Sequence, residues 1–207
     1  MTDGTQRRSV GSLPEPNAAS SRVPAALTRF VWAMWLGTLA VVAGFVRTDP
    51  AWAVDGLVAI DGLTVVMWSV VTFFSGIVHS YSRRYLDGNP NKTQFFARVF
   101  SFTLVVMVVV AADHIALFAA AWLAMGLLMA ELIGHVDGWP QAQAAARSAR
   151  RYFVGGALLV AFSLTLLWSA TGATSVTGIL DAVDGLSTTT ALLAAGGLVV
   201  AAMIQSA

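Results

Sequence analysis

No cysteine occurs among the 207 residues. A disulfide framework, a thiolate zinc site and a cysteine nucleophile are therefore excluded within this chain. Charge is nearly as scarce: Asp, Glu, Lys and Arg together make up 11% of the chain, against 57% apolar residues. An average soluble domain carries roughly 25% charged residues, so this chain has too few to solvate a globular surface. Histidine occurs three times, in separate connections and never as H-x-x-x-H, so no zinc site is built by spacing. No catalytic triad, phosphate-cradling glycine loop or nucleic-acid patch is present. What remains is hydrophobic length, with a mean hydropathy of +0.73. These features describe an all-α integral membrane protein, and strands of a barrel are excluded because runs such as TLVVMVVVAA do not alternate.

Six segments have the roughly 17 to 25 residues that cross a hydrocarbon slab about 30 Å thick. They cover approximately Pro24 to Val46, Gly62 to Tyr81, Thr93 to Ala112, His114 to Ile133, Tyr152 to Thr171, and Thr188 to the end. Residues 1–23 mix Gly, Ser, Pro and charge without apolar periodicity, which predicts a disordered tail before a transmembrane domain over 24–207. A signal peptide ending at the AWA of Ala51 to Ala53 is the competing reading of this region; the long run from Phe30 to Val46 and the further spans speak against it.

Charge placement orients the spans. Eleven of the 12 basic residues lie on one side, in the tail, the second and fourth connections and the span ends next to them, and only Arg47 lies on the other side. The positive-inside rule makes the basic side, with the N-terminus, cytoplasmic, as in a multi-pass protein of a bacterial inner membrane. Asp49, Asp55, Asp61, Asp113, Asp181 and Asp184 gather opposite.

Polar residues at membrane depth are the candidates for an ion path. Glu131 lies near the cytoplasmic end of the fourth span, with His135 one turn on. The pair reads either as a proton relay or as a snorkelling or arginine-paired helix end. Asp113 and His114 form the outer turn between spans three and four, either as part of a path or as an ordinary polar turn. His79, followed by SYSRRYLDG, reads as an interface histidine or a path member. Arg83 and Arg84 enter the cytoplasm after it and are candidates for docking a soluble partner. Arg147, Arg150 and Arg151 share one side of QAQAAARSARRYF, which is expected to lie along the membrane surface, holding lipid phosphates or docking a soluble partner. Gly155 and Gly156 open the fifth span with residues that permit close helix approach.

The order of elements from Asp61 onward resembles the proton-antiporter-like subunits of respiratory complex I and Mrp antiporters. These elements are Asp61 to Leu63, Tyr81 and Tyr85, Phe95 and Phe96, Ala112 and Asp113, and Trp122, within a resemblance covering about residues 55–207. YSRRYLDG, the tryptophan without a following glutamate, and AAARSARRYF resemble most the membrane subunit of DAB-type inorganic carbon pumps. The resemblance implies a partial antiporter-like bundle, incomplete at its C-terminus. It also implies a cation gradient, of protons or sodium, driving a large cytoplasmic zinc-binding partner that converts CO2 to bicarbonate. No cofactor is expected in this chain and no nucleic acid among its partners; lipid and the zinc subunit, or other complex I or Mrp subunits, are expected.

Two departures separate the chain from the antiporter pattern. Leu123 stands where the respiratory subunits place a glutamate, and Gln205 where they keep a lysine before Ser-Ala. A buried lysine gains and loses a proton with help from a nearby carboxylate, whereas leucine and glutamine do not titrate. Glu131, eight residues after Leu123, is then the candidate for a relocated acid. A complex I or Mrp subunit and a non-transporting scaffold are the competing functions.

Overall fold

The computed structural model describes residues 18–48, 52–54, 56–136 and 138–206. Helix α1 runs over Ala18–Thr48, followed by a short antiparallel hairpin, β1 (Trp52–Val54) and β2 (Val58–Ile60), paired Trp52 to Ile60 and Val54 to Val58. Helices α2 (Gly62–Tyr85), α3 (Lys92–Ala111), α4 (Ile115–Ile133) and α5 (Pro140–Thr171) come next. A small helix α6 (Val176–Asp181), a 3-10 turn at Val183–Gly185 and α7 (Thr188–Ser206) follow. Six of these helices are long and apolar enough to cross a membrane, so the chain is a multi-pass all-α membrane protein.

The expected spans and the helices agree in number, with three differences at their edges. Helix α1 reaches back to Ala18, into the last six residues of the expected tail; residues 1–17 lie outside the described residues. The stretch expected to lie along the surface before the fifth span is instead continuous with it, because α5 runs unbroken for 32 residues. With Pro140 at its first turn and no glycine or proline before Tyr152, nothing in the sequence breaks it. The connection before α7, which the expected spans leave unassigned, carries α6 and the 3-10 turn.

Helix ends are set by local chemistry. The Asp61 carboxylate accepts from the Thr64 backbone N–H at 2.7 Å and from its hydroxyl at 2.8 Å, capping α2. These bonds hold its carboxyl below the usual carboxylate range. Helix α5 ends on Gly172 at φ 71°, a left-handed position that favours glycine, with the Gly172 N–H on Trp168 O at 2.7 Å.

Each helix packs mainly on its sequence neighbours: α1 on α2 and α3, α3 on α4, α4 on α5, and α5 on α7. Small residues make these approaches possible. A Cβ built on Gly126 of α4 would lie 2.8 Å from Phe153 Cβ of α5, and one on Gly156 3.3 Å from Ile204 Cγ2 of α7. Gly156 thus has the role expected of small residues at a helix interface. A Cβ on its neighbour Gly155 would meet nothing within 4 Å. Val160, Leu164 and Ala201 form the core of the second half, with Trp122 and Phe118 packed against them.

The acid-rich connections meet at one end. The Asp113 and His114 N–H groups both donate to Leu57 O of the hairpin, at 3.0 and 3.1 Å, while Ile115 N–H donates to Thr174 O at 3.0 Å. The face expected to be extracytoplasmic is therefore one hydrogen-bonded layer.

Candidate ion path

Helix α2 is organised in the opposite sense to a soluble amphipathic helix. Its buried face carries Thr72, Ser75, His79 and Ser82, spaced by three, four and three residues, while Phe74, Ile77, Val78 and Tyr81 are exposed. In lipid this is the favourable arrangement: apolar side chains meet hydrocarbon, and hydroxyls find partners inside the bundle.

The partners form a seam across α1, α2 and α3. Thr38 of α1 lies 3.4 Å from Thr72, oxygen to oxygen, and both also donate to carbonyls of their own helices. Ser75 Oγ is 2.7 Å from Thr103 Oγ1 of α3. The Thr103 hydroxyl donates to Val99 O at 2.9 Å, so Ser75 is the donor to Thr103. His79 is 1% exposed and faces into the bundle. Its Nδ1 is 2.8 Å from Ser75 O. A carbonyl only accepts, so Nδ1 carries a proton. Nε2 is buried without a hydrogen-bond partner among the described residues.

Phe95 and Phe96, at the start of α3, each contact one histidine. The Phe96 ring meets His79 edge-on at 5.2 Å between centroids, and Phe95 lies 4.9 Å from His135. His135, 6% exposed, is buried beyond the end of α4. Glu131 lies on α4 two residues before its last, and Arg98 Nε is 3.3 Å from its carboxylate, both side chains part-exposed. The arginine-paired reading of Glu131 therefore has a definite partner, on α3 rather than on a loop.

Asp113 and His114 form the outer layer. Asp113 is 7% exposed; its Oδ1 accepts from Thr177 N–H at 2.9 Å and its Oδ2 from the Thr177 hydroxyl at 3.0 Å. The Asp113 carbonyl accepts from Val176 N–H at 2.7 Å, so this residue fastens α6 to the turn between α3 and α4. His114 Nδ1 accepts from Ala116 N–H at 3.1 Å and caps α4.

Gln205 sits apart from all of these, at the junction of α4, α5 and α7. A Cβ on Gly126 would lie 3.6 Å from Gln205 Oε1, and that oxygen is buried without a partner among the described residues. Leu123 is three residues before Gly126 on the same helix. Arg147, Arg150 and Arg151 are exposed on the first turns of α5, and Arg83 and Arg84 are exposed at the end of α2. The candidates thus divide into the α2 seam with His79, the Phe95, His135 and Arg98–Glu131 group, the outer Asp113 layer, and the Gln205 junction.

Two features were missed in the sequence. Lys92 is 7% exposed and donates to Arg83 O at 2.8 Å and Asp87 Oδ1 at 3.2 Å, tying α3 to the preceding turn; nothing in the sequence distinguishes it from a solvated loop lysine. The seam did carry a signal, since TFFSGIVHSYS places Thr72, Ser75, His79 and Ser82 at helical spacing within an apolar run.

Residues 52–96 match the family of NADH-Ubiquinone oxidoreductase (complex I), chain 5 N-terminus. The chain is 34% identical over 113 residues to NADH-quinone oxidoreductase subunit L of Escherichia coli, an alignment covering 55% of this chain and 18% of that protein. It is 30% identical over 151 residues to the probable inorganic carbon transporter subunit DabB1 of Halothiobacillus neapolitanus, covering 67% of this chain and 27% of that one. In fold it is similar to a chain of respiratory complex I from Thermus thermophilus, with a TM-score of 0.63, 18% identity, and coverage of 88% of this chain and 42% of that chain. These likenesses support a place for the chain among antiporter-like membrane subunits. It spans less than a third of the length of these two curated relatives. The stretch matched by the family, residues 52–96, contains the hairpin, the whole hydroxyl face of α2 and the Phe95–Phe96 pair.

Proposed function

We propose that this antiporter-like chain is part of the membrane subunit of an energy-coupled inorganic carbon transporter. It lies in a bacterial inner membrane with its N-terminus cytoplasmic. A proton or sodium gradient is conducted through the subunit and drives a cytoplasmic zinc-binding partner that converts CO2 to bicarbonate. The observation that carries this reading is the junction of α4, α5 and α7, where the amide oxygen of Gln205 is buried beside Gly126, with Leu123 one turn away and the non-titrating Trp122 and Ser163 as the other buried polar side chains. An amide and an alkyl chain hold no transferable proton at this depth, so a lysine and glutamate couple is not assembled there. The 30% identity to a probable inorganic carbon transporter subunit supports the same choice.

In this reading Glu131 is the acid of the path, paired with Arg98 at 3.3 Å, with His135 and His79 as the imidazoles available to relay protons. The exposed Arg147, Arg150 and Arg151 face the zinc partner. Deletion of the gene should abolish growth at ambient CO2 but not at elevated CO2, and affinity purification in mild detergent should recover a zinc protein. Growth unaffected by CO2, with quinone-oxidoreductase subunits recovered instead, would establish the second reading, a complex I type subunit; the 34% identity to subunit L supports it. With neither a partner nor ion flux, only the scaffold reading would survive. Glu131→Gln should stop transport while leaving the protein assembled; unchanged transport would remove Glu131 from the path.

A further inference from the structure

At the end of the bundle that carries the basic residues, an open cleft of about 1020 Å³ lies between the first turns of α1 and the end of α2. Pro24, Ser80, Tyr81, Arg83, Arg84, Tyr85, Asp87 and Lys92 line it. Three of these are basic and one is acidic, and Asp87 is already paired with Lys92 at 3.2 Å. Neither Arg83 nor Arg84 has a carboxylate partner among the described residues. Lys92 is nine-tenths buried along its side chain, with its ammonium on Arg83 O and Asp87. An ammonium carries three N–H donors, so one remains for an anion in the cleft.

Depth and aromatic content specify the anion. Helix α2 reaches the cleft directly from its membrane-spanning part. Tyr81 and Tyr85, one turn apart, are stacked at 5.6 Å between centroids and 21° between planes, and they are 66% and 71% exposed. Exposed tyrosines at a helix end sit at headgroup level, with the ring toward acyl chains and the hydroxyl toward water. A soluble partner would meet these rings in water, where exposed apolar area gives no reason for their position; a lipid meets both rings and arginines at once. We propose that this cleft is a specific site for one anionic phospholipid, whose phosphate is held by Arg83, Arg84 and the free donor of Lys92 and whose upper acyl chains lie on Tyr81 and Tyr85. The site is independent of which ion the subunit conducts.

The test uses the purified protein, with lipid counted by native mass spectrometry after exposure to phosphatidylglycerol or phosphatidylcholine. The wild type should retain one phosphatidylglycerol in preference to phosphatidylcholine. The Arg83→Gln/Arg84→Gln double variant should lose that preference by about tenfold or more. Arg83→Lys/Arg84→Lys should keep most of it, and Arg47→Gln, exposed at the other end of the bundle, should keep all of it. Equal retention by wild type and the glutamine variant, or equal binding of the zwitterionic lipid, would overturn the site as annular lipid only. Loss of a soluble partner with unchanged lipid retention would overturn it in favour of protein docking. Unfolding midpoints of all variants, measured alongside, separate loss of the site from loss of the fold, and the lysine variant decides if the glutamine variant does not fold.

Discussion

Asp113 offers the sharpest separation between a structural carboxylate and an ion-path carboxylate. It is almost fully buried and accepts two hydrogen bonds from one residue, the Thr177 N–H at 2.9 Å and hydroxyl at 3.0 Å. Bonds to a charged acceptor contribute about 1.5–3 kcal/mol each. Thr177 is exposed, so water takes over part of what its donors lose, and Asp113→Ala should cost about 2–3 kcal/mol in total. That is about a 30- to 150-fold shift in the unfolding equilibrium. Asp113→Asn is different in kind. Its Oδ1 keeps the Thr177 N–H, and its amide donates to the Thr177 oxygen once the hydroxyl rotates, so the cost should be about 1 kcal/mol or less. Unfolding titrations of the purified protein in mixed detergent micelles measure both. If the proposed function holds, ion flux in proteoliposomes should survive Asp113→Asn. Equal destabilisation by both variants would refute the hydrogen-bond argument, and lost flux with retained stability would make the carboxylate a carrier.

Two further outcomes follow from the packing and the caps. Gly126→Ala should destabilise by about 1–3 kcal/mol through overpacking against Phe153, whereas Gly155→Ala, in open space, should stabilise by about 0.5–1 kcal/mol; reversed order in thermal unfolding would contradict the close approach of α4 to α5. Asp61→Ala should cost about 0.5–1 kcal/mol at neutral pH, because the cap is solvent-exposed. The Asp61 pKa is lowered in the fold by the Thr64 bonds. Its contribution is therefore present above the ordinary carboxylate value and lost as pH falls through the folded one, so wild type and variant should converge below roughly pH 4. A difference that persists at pH 2 would exclude the cap as its source.

The span count was legible because each run is long, apolar and flanked by charge of one sign. The ends were less so. Ala18 to Val23 carries no apolar periodicity, yet it continues α1, and the Arg147 to Arg151 turns look like a separate amphipathic helix until α5 is seen to run through them. In both cases helix propensity propagates across a composition boundary, since no breaker stands there. Glu131 could be assigned to a depth but not to Arg98, because the partner lies on a different helix, 33 residues earlier. Asp113 was visible as a polar turn, whereas its use of Thr177, 64 residues on, belongs to tertiary structure alone. The spacing of His79 with Thr72, Ser75 and Ser82 already marks a shared helix face in the sequence.

The continuity of α5 has a mechanical consequence. At about 1.5 Å per residue its 32 residues extend about 48 Å, some 18 Å more than the hydrocarbon needs. The surplus turns bear Arg147, Arg150 and Arg151, and they join Phe153 and Gly156 without a hinge. A surface helix tethered by a loop would absorb a push from outside the membrane. An unbroken helix would transmit it: tilting α5 from the water side would turn Phe153 against Gly126, the glycine beside Gln205, and Gly156 against Ile204.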